Sequence, residues 1–231
     1  MKVHALSLIF VCAIAACSKD STTAPVVTSG GQSLRVINGN TTAVDVLVDG
    51  TVTNTAVPAG QTIMVGSQGV GPHIIGIRAV GGTAVSNVSF SLPGGETRTV
   101  AAHRASNGSL AASVLDDTAS IVPAGATKLR VLHLSPNTGE LQVYRTQPDY
   151  NVAPVRWQFP FNYQTDLSAP AAPFYQSTPG TWEVRIWQTP ASADGWANAL
   201  IKFTIPLGSG ERKTIVIVDK PGGGFQAQVI E

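Results

Sequence analysis

"IKFTIPLGSGERKTIVIVDKPGGGFQAQVIE", residues 201–231, decides the fold class. Ile201, Phe203 and Ile205 alternate with Lys202 and Thr204. A period of two puts one face of an extended segment in a core and the other in water. "LGSGE" then supplies turn residues. "TIVIVD", residues 214–219, is apolar on both faces, so it is expected to be a central strand. "KPGGG" turns the chain again into a last strand. Nothing here has the 3.6-residue period and capping residues of a helix.

The same text occurs earlier in the chain. "VSFSLPGGETRTVAAHRASNGSLAASVLDD" (residues 88–117) aligns with it, Phe90 on Phe203 and Glu96 on Glu211. "LRVINGNTTAVDVLVDG" (34–50) aligns with "LRVLHLSPNTGELQVYRTQPD" (129–149), and "PHIIGIRAV" (72–80) with "GTWEVRIWQ" (180–188). In the latter, Trp182, Val184 and Ile186 alternate with Glu183, Arg185 and Trp187. Four segments in one order give two units, 33–122 and 123–231, each a usual domain size. The join, 118–127, is short and rich in Pro, Gly and Ala, so the units are expected to pack end to end or side by side. Six to eight short strands per unit predict two tandem Ig-like antiparallel β-sandwiches. The Cys…Trp…Cys signature of true immunoglobulin domains is absent, which leaves strand order open.

Composition narrows the function. Lys plus Arg is 15 against 14 for Asp plus Glu, so no basic surplus exists to hold nucleic acid. The chain has only two cysteines, Cys12 and Cys17. Residues 5–16 form an apolar run too short to span a bilayer, which needs roughly 20 residues, but of the length of a signal-peptide core. Lys2 precedes it and Ile14-Ala15-Ala16-Cys17 closes it. This resembles the bacterial lipobox. The resemblance implies cleavage before Cys17, leaving 1–16 as a signal peptide, and lipidation of the Cys17 thiol. Ser18 follows, not the Asp common in inner-membrane retention, which favours the outer membrane, periplasmic or surface-facing. A lipidated Cys17 leaves the mature chain without a thiol, and so without a disulfide or a cysteine nucleophile. Residues 17–32, "CSKDSTTAPVVTSGGQ", then read as lipidated end and flexible tether.

The two openings carry a further resemblance. "LRVxHxSPxxxxVDVYxDG" is close to the start of the domain-of-unknown-function family 4397, found in bacterial surface and secreted proteins, often in tandem. The second half keeps His133, Ser135 and Pro136. The first keeps Val44, Asp45, Val46, Val48, Asp49 and Gly50, with Asn38-Gly39-Asn40 in place of His-x-Ser-Pro. The resemblance spans most of 34–231 and implies a β-sandwich in the cell envelope. It implies no activity, since none is established for the family. Neither half retains the whole motif, which argues against a shared catalytic site.

No other chemistry stands out. His73, His103 and His133 are far apart in sequence, and no HExxH, His-x-His or calcium loop occurs, so neither a metal nor a cofactor is expected. Asp116 and Asp117 read as a solvated strand end. Asp45 and Asp49, about 13 Å apart by strand rise, read as the polar face of an edge hairpin. His133 and Ser135 share a strand face and invite a nucleophile reading. No G-x-S-x-G elbow accompanies them, and Ser-Pro after a strand reads more simply as a turn start.

One asymmetry remains. Of the 15 aromatics, 13 follow residue 140. Most sit in an expansion of the second unit, residues 146–180, and Trp196 sits in a smaller one. Trp157, Phe159, Tyr163, Tyr175 and Trp196 are the candidate ligand-binding residues. On Pro-rich loops they could stack on sugar rings. Alternatively they build a satellite core or bury the contact between units, and "WQFPFNY" alternates enough to be an added strand. The expected function is a non-catalytic cell-envelope lipoprotein, held to the membrane by its anchor and acting as a structural or protein-interaction module. The alternative is a glycan-binding surface module.

Overall fold

A computed structural model describes residues 26–27, 33–115, 117, 122–146, 155–164, 167, 173–188 and 199–231, with backbone alone for Val26–Val27 and Val155–Phe161. Cys17 and Trp196 lie outside the described residues, as do Asp116 and most of the tether. Every regular element among the described residues is a strand. The first half runs β2 (Ser33–Asn38), β3 (Val44–Val48), β4 (Thr51–Val57), β5 (Thr62–Met64), β6 (Gly71–Ala79), β7 (Val85–Leu92), β8 (Thr97–Arg104) and β9 (Leu110–Val114), preceded by β1 (Val26–Val27). The second half runs β10 (Thr127–Leu134), β11 (Leu141–Thr146), β12 (Val155–Phe161), β13 (Tyr175–Ser177), β14 (Gly180–Gln188), β15 (Ile201–Leu207), β16 (Arg212–Asp219) and β17 (Phe225–Ile230).

Each half is a sandwich of two sheets. The first stacks β5-β2-β8-β9 on β4-β3-β6-β7, and the second stacks β13-β10-β16-β17 on β12-β11-β14-β15. Strand for strand, the order is the same. Val36, Val46, Ile77, Val100 and Phe90 fill the first core; Val131, Val143, Ile186, Phe203 and Ile217 fill the second. Most pairs are antiparallel, as the turn-rich sequence predicts. The exceptions are β2 with β8, β10 with β16, and β1 on the outer edge of β17. The first and seventh strands of each half run side by side at the centre of one sheet, and only long-range pairing sets their direction.

"WQFPFNY" is not an added strand. In strand order β12 occupies the place of β4, at the edge beside β11. The expansion lengthens the connections on either side of it. Asp49 is likewise not on the strand of Asp45: it sits in the turn after β3 with φ 49°, and β3 is an interior strand.

The strands of "LRVIN" and "TIVIVD" are buried on both faces for a reason beyond central position. The outer face of β2-β8-β9 packs on the outer face of β10-β16-β17. Ile37, Ala101 and Leu115 meet Leu132, Leu134, Val216, Val218 and Ile230 in a third apolar cluster. Leu167 and Tyr163, from the expansion, join this contact. The sandwiches therefore lie side by side, sheet on sheet. Two glycines allow the approach: a Cβ on Gly39 would stand 2.7 Å from Cβ of Leu134, and one on Gly60 would stand 1.7 Å from the carbonyl oxygen of Asp219.

Candidate functional site

The shared interface has an apolar middle and two polar ends. At one end β2 and β10 each bring an arginine from the "LRV" openings. Arg35 and Arg130 are both buried, at 1% and 2% exposure. The period of two explains this: Leu34 and Val36 enter one core and Leu129 and Val131 the other, so the residue between them faces the neighbouring sandwich. Arg130 pairs with Asp117 at 2.6 Å, donates to the Thr214 hydroxyl at 3.1 Å, and lies 4.4 Å from the centre of the Phe174 ring. Asp117 is thus no solvated strand end but the partner of a buried cation in the other sandwich. Arg35 donates to the Glu231 carbonyl at 3.0 Å. Burial lowers the pKa of its guanidinium, against the pull of Asp117 and Glu231.

These groups open into a cleft of about 390 Å³ lined also by Glu96, Thr97, Phe174 and Arg212. The size suits a small polar ligand. No single residue type or motif announces this cleft, because its walls come from both halves. The repeated "LR" was the one signal that could have found it: an arginine between two core positions needs a partner outside its own sandwich.

The opposite end holds the His133–Ser135 pair. Ser135 donates its hydroxyl hydrogen bond to Asp219 and also meets Thr138 Oγ1 at 2.6 Å, while Asn137 donates to Asp219 at 2.9 Å. A carboxylate is therefore present. The arrangement is nevertheless the reverse of a triad, in which histidine holds the hydroxyl and the acid holds histidine. The His133 Nδ1 accepts the backbone N–H of Ser135 at 3.3 Å, and Nε2 lies 3.1 Å from the Gly139 carbonyl. Burial pushes the imidazole pKa down, so neutral histidine with a proton on Nε2 suits both contacts. The Thr138 N–H returns to the Ser135 carbonyl at 3.1 Å, a turn start as the Ser-Pro predicts.

Asp45 and Asp49 serve the first sandwich in separate places. Asp45 holds Arg78 at 2.7 Å and accepts the Ala56 N–H at 3.0 Å; both lower its pKa. Asp49 accepts the Ile74 N–H at 2.8 Å and holds His73 Nδ1 at 2.8 Å, which lowers the Asp49 pKa and raises that of His73.

The aromatic candidates divide. Trp157 and Phe159 lie on β12, where only the backbone is described. Tyr163 is half-buried between the sandwiches: its hydroxyl accepts the Arg104 N–H at 2.5 Å, its ring meets His133 edge-on, and burial raises its pKa. Tyr175 begins β13 opposite Leu129 and is half-buried. Sequence reasoning missed Tyr144 and Trp187, stacked with ring centres 4.1 Å apart on β11 and β14. Beside them buried Glu183 pairs with buried Arg185 and, at 2.9 Å, with the exposed Lys202. Burial raises the Glu183 pKa, but its bonds to Lys202 and Arg185 outweigh that and hold it below the usual range. Among the described residues, no three of His, Cys, Asp and Glu gather as a metal site would require.

Residues 32–144 match the family model described as "Domain of unknown function (DUF4397)". The chain carries a DUF4397 domain. The match takes in all of β2–β9 and both "LRV" openings, and stops inside β11. No curated protein matches the chain. Among solved structures it is similar to a product complex of a multi-modular glycogen-degrading pneumococcal virulence factor, SpuA, at 9% identity and a TM-score of 0.27. That similarity covers 84% of this chain and 23% of the other, so the chain spans under a quarter of its length.

Proposed function

We propose that the chain is a non-catalytic cell-envelope lipoprotein, lipidated on Cys17 and acting as a structural or protein-interaction module. The observation that carries this is how its reactive side chains are engaged. His133 gives both ring nitrogens to backbone groups, Ser135 is held by Asp219, and these contacts brace a turn at the junction of the sandwiches. A base free to take the Ser135 proton is what such a site would need. The tandem reading, 33–122 and 123–231 as two units of one family fold, is supported by their common strand order. The lipoprotein reading is supported by the apolar run and Cys17 alone.

Fractionation of cells expressing the full chain tests the anchor. The expected result is recovery with outer membranes and a lipid-modified N-terminal cysteine by mass spectrometry, with both lost in Cys17→Ala. Wild-type chain recovered soluble and unmodified would overturn it. The alternative, a glycan-binding surface module, is supported by Phe174 standing with Arg35, Arg212 and Thr97 in the interface cleft. Titration of the same protein with envelope polysaccharides separates the readings. A saturable fluorescence shift lost in Phe174→Ala, Trp157→Ala or Trp196→Ala would replace the first with the second.

A further inference from the structure

Every open sheet edge is a row of unpaired N–H and C=O groups, and soluble proteins blunt such rows. The described edges of this molecule are blunted, with one exception. β5 and β13 have three residues each. β4 and β12 break register against their neighbours, and Ala56 of β4 turns to φ 51° to give its N–H to Asp45. β15 carries Lys202 and Pro206, and β17 is paired by β1 at Val229 and Ile230 while its Gln226 and Gln228 reach Gly60 of the first sandwich. β9 has five residues, and its Ala112 N–H already reaches the Ser86 hydroxyl, on the inner face of β7.

β7 is the exception. It has eight residues, "VSNVSFSL", without a charge or a proline, and pairs with β6 in unbroken register. Its counterpart in the second sandwich is β15, which has both Lys202 and Pro206. The direction of its free groups can be derived. Ile74 of β6 accepts the Asp49 N–H and donates its own N–H to the Asp49 carboxylate, so both its backbone groups face β3. Ser89, directly opposite Ile74, is therefore in a non-hydrogen-bonded pair and aims its N–H and C=O off the edge. By alternation Val85, Asn87 and Ser91 do the same. All four side chains are exposed, while Phe90 and Leu92 enter the core.

We propose that β7 is a docking edge for β7 of a second copy of this chain, antiparallel about a two-fold axis. The sheet β4-β3-β6-β7 then continues through the partner as eight strands. An edge of this kind takes an extended strand, and β7 is complementary to itself: it brings no charge to repel its copy, and one register pairs all four outward residues, Val85 with Ser91 and Asn87 with Ser89. A single open edge among the described residues closes the assembly at two, whereas a second open edge would let it grow as a fibre. Exposed Val85 and Ile74, 38% and 48% exposed, flank the new seam on its outer face. This deepens the reading of the chain as an interaction module without depending on the lipid anchor.

The test is light scattering on the full chain, purified in mild detergent, across a concentration series, with hydrogen exchange in parallel. The expected result is a dimer in which the amides of Asn87, Ser89 and Ser91 gain protection as concentration rises. Ser89→Pro removes an N–H that β6 does not use, and Ser89→Lys sets two like charges diagonally across the two-fold axis, each opposite Asn87 of the other copy; each is expected to give a monomer with unchanged circular dichroism. A wild-type monomer at every soluble concentration overturns the proposal. So does a dimer that survives both substitutions or leaves these amides unprotected. A monomer leaves the anchor to the membrane fractionation above, and the choice between module and glycan binder to the titration.

Discussion

His133 and His73 show how two histidines of one chain acquire opposite linkage to pH. Burial lowers the pKa of His133, so unfolding lets it take up a proton whenever pH lies below its unfolded value, about 6.5. Its contribution to stability is full above that value and declines as pH falls toward the folded pKa. His73 is raised by Asp49, so its ion pair stabilises fully below about 6.5 and is lost as pH rises through the higher folded pKa. Between pH 7.5 and 5 the two therefore oppose each other. Melting temperature followed over that range is expected to fall less in His133→Gln than in the wild type, and more in His73→Asn. Profiles that both superimpose on the wild type would contradict the two assignments.

At the scale of elements, the strands were legible and their partners were not. Period-two alternation locates β14 and β15, and "TIVIVD" is central as expected, because an apolar pattern records what one strand buries. Residue type does not record which strand lies alongside. The parallel pairing of β2 with β8, the place of β12 and the turn position of Asp49 all depend on partners far away in sequence. The β4–β5 turn shows this most sharply. "PAGQ" reads as an ordinary turn, yet Gly60 touches β16 and β17 of the other half: its carbonyl accepts from Gln226 at 3.0 Å and from Gln228 at 2.6 Å. Its φ is +71°, and no Cβ fits beside Asp219. Gly60→Ala is expected to cost more than about 2 kcal/mol by chemical denaturation, since it combines backbone strain with displacement of a packed element. Gly108→Ala, with a similar φ of +78° and open space around it, is the control. It is expected to cost only the left-handed strain, about 1 kcal/mol. Equal costs would mean that the turn does not dock.

At the scale of the whole molecule, the sequence implied contact between the halves through the shortness of residues 118–127, but not its geometry. Side chains that look like second-face apolar surplus, Ile37, Leu132, Val216 and Val218, are the contact itself. The aromatic expansion is partly spent there too, through Tyr163 and Leu167. The two buried arginines, unexplained within either sandwich, mark one end of the contact. The DUF4397 match likewise runs through the join and into β11, so sequence similarity and packing both cross the boundary between halves. The molecule is thus one body with two cores, braced by a third cluster that neither half can bury alone. Scanning calorimetry of the full chain measures this most directly. A single transition, with calorimetric and van't Hoff enthalpies equal, is the expected result, moving as one to lower temperature in Leu132→Ala. Two separate transitions, only one of them shifted by Leu132→Ala, would contradict it.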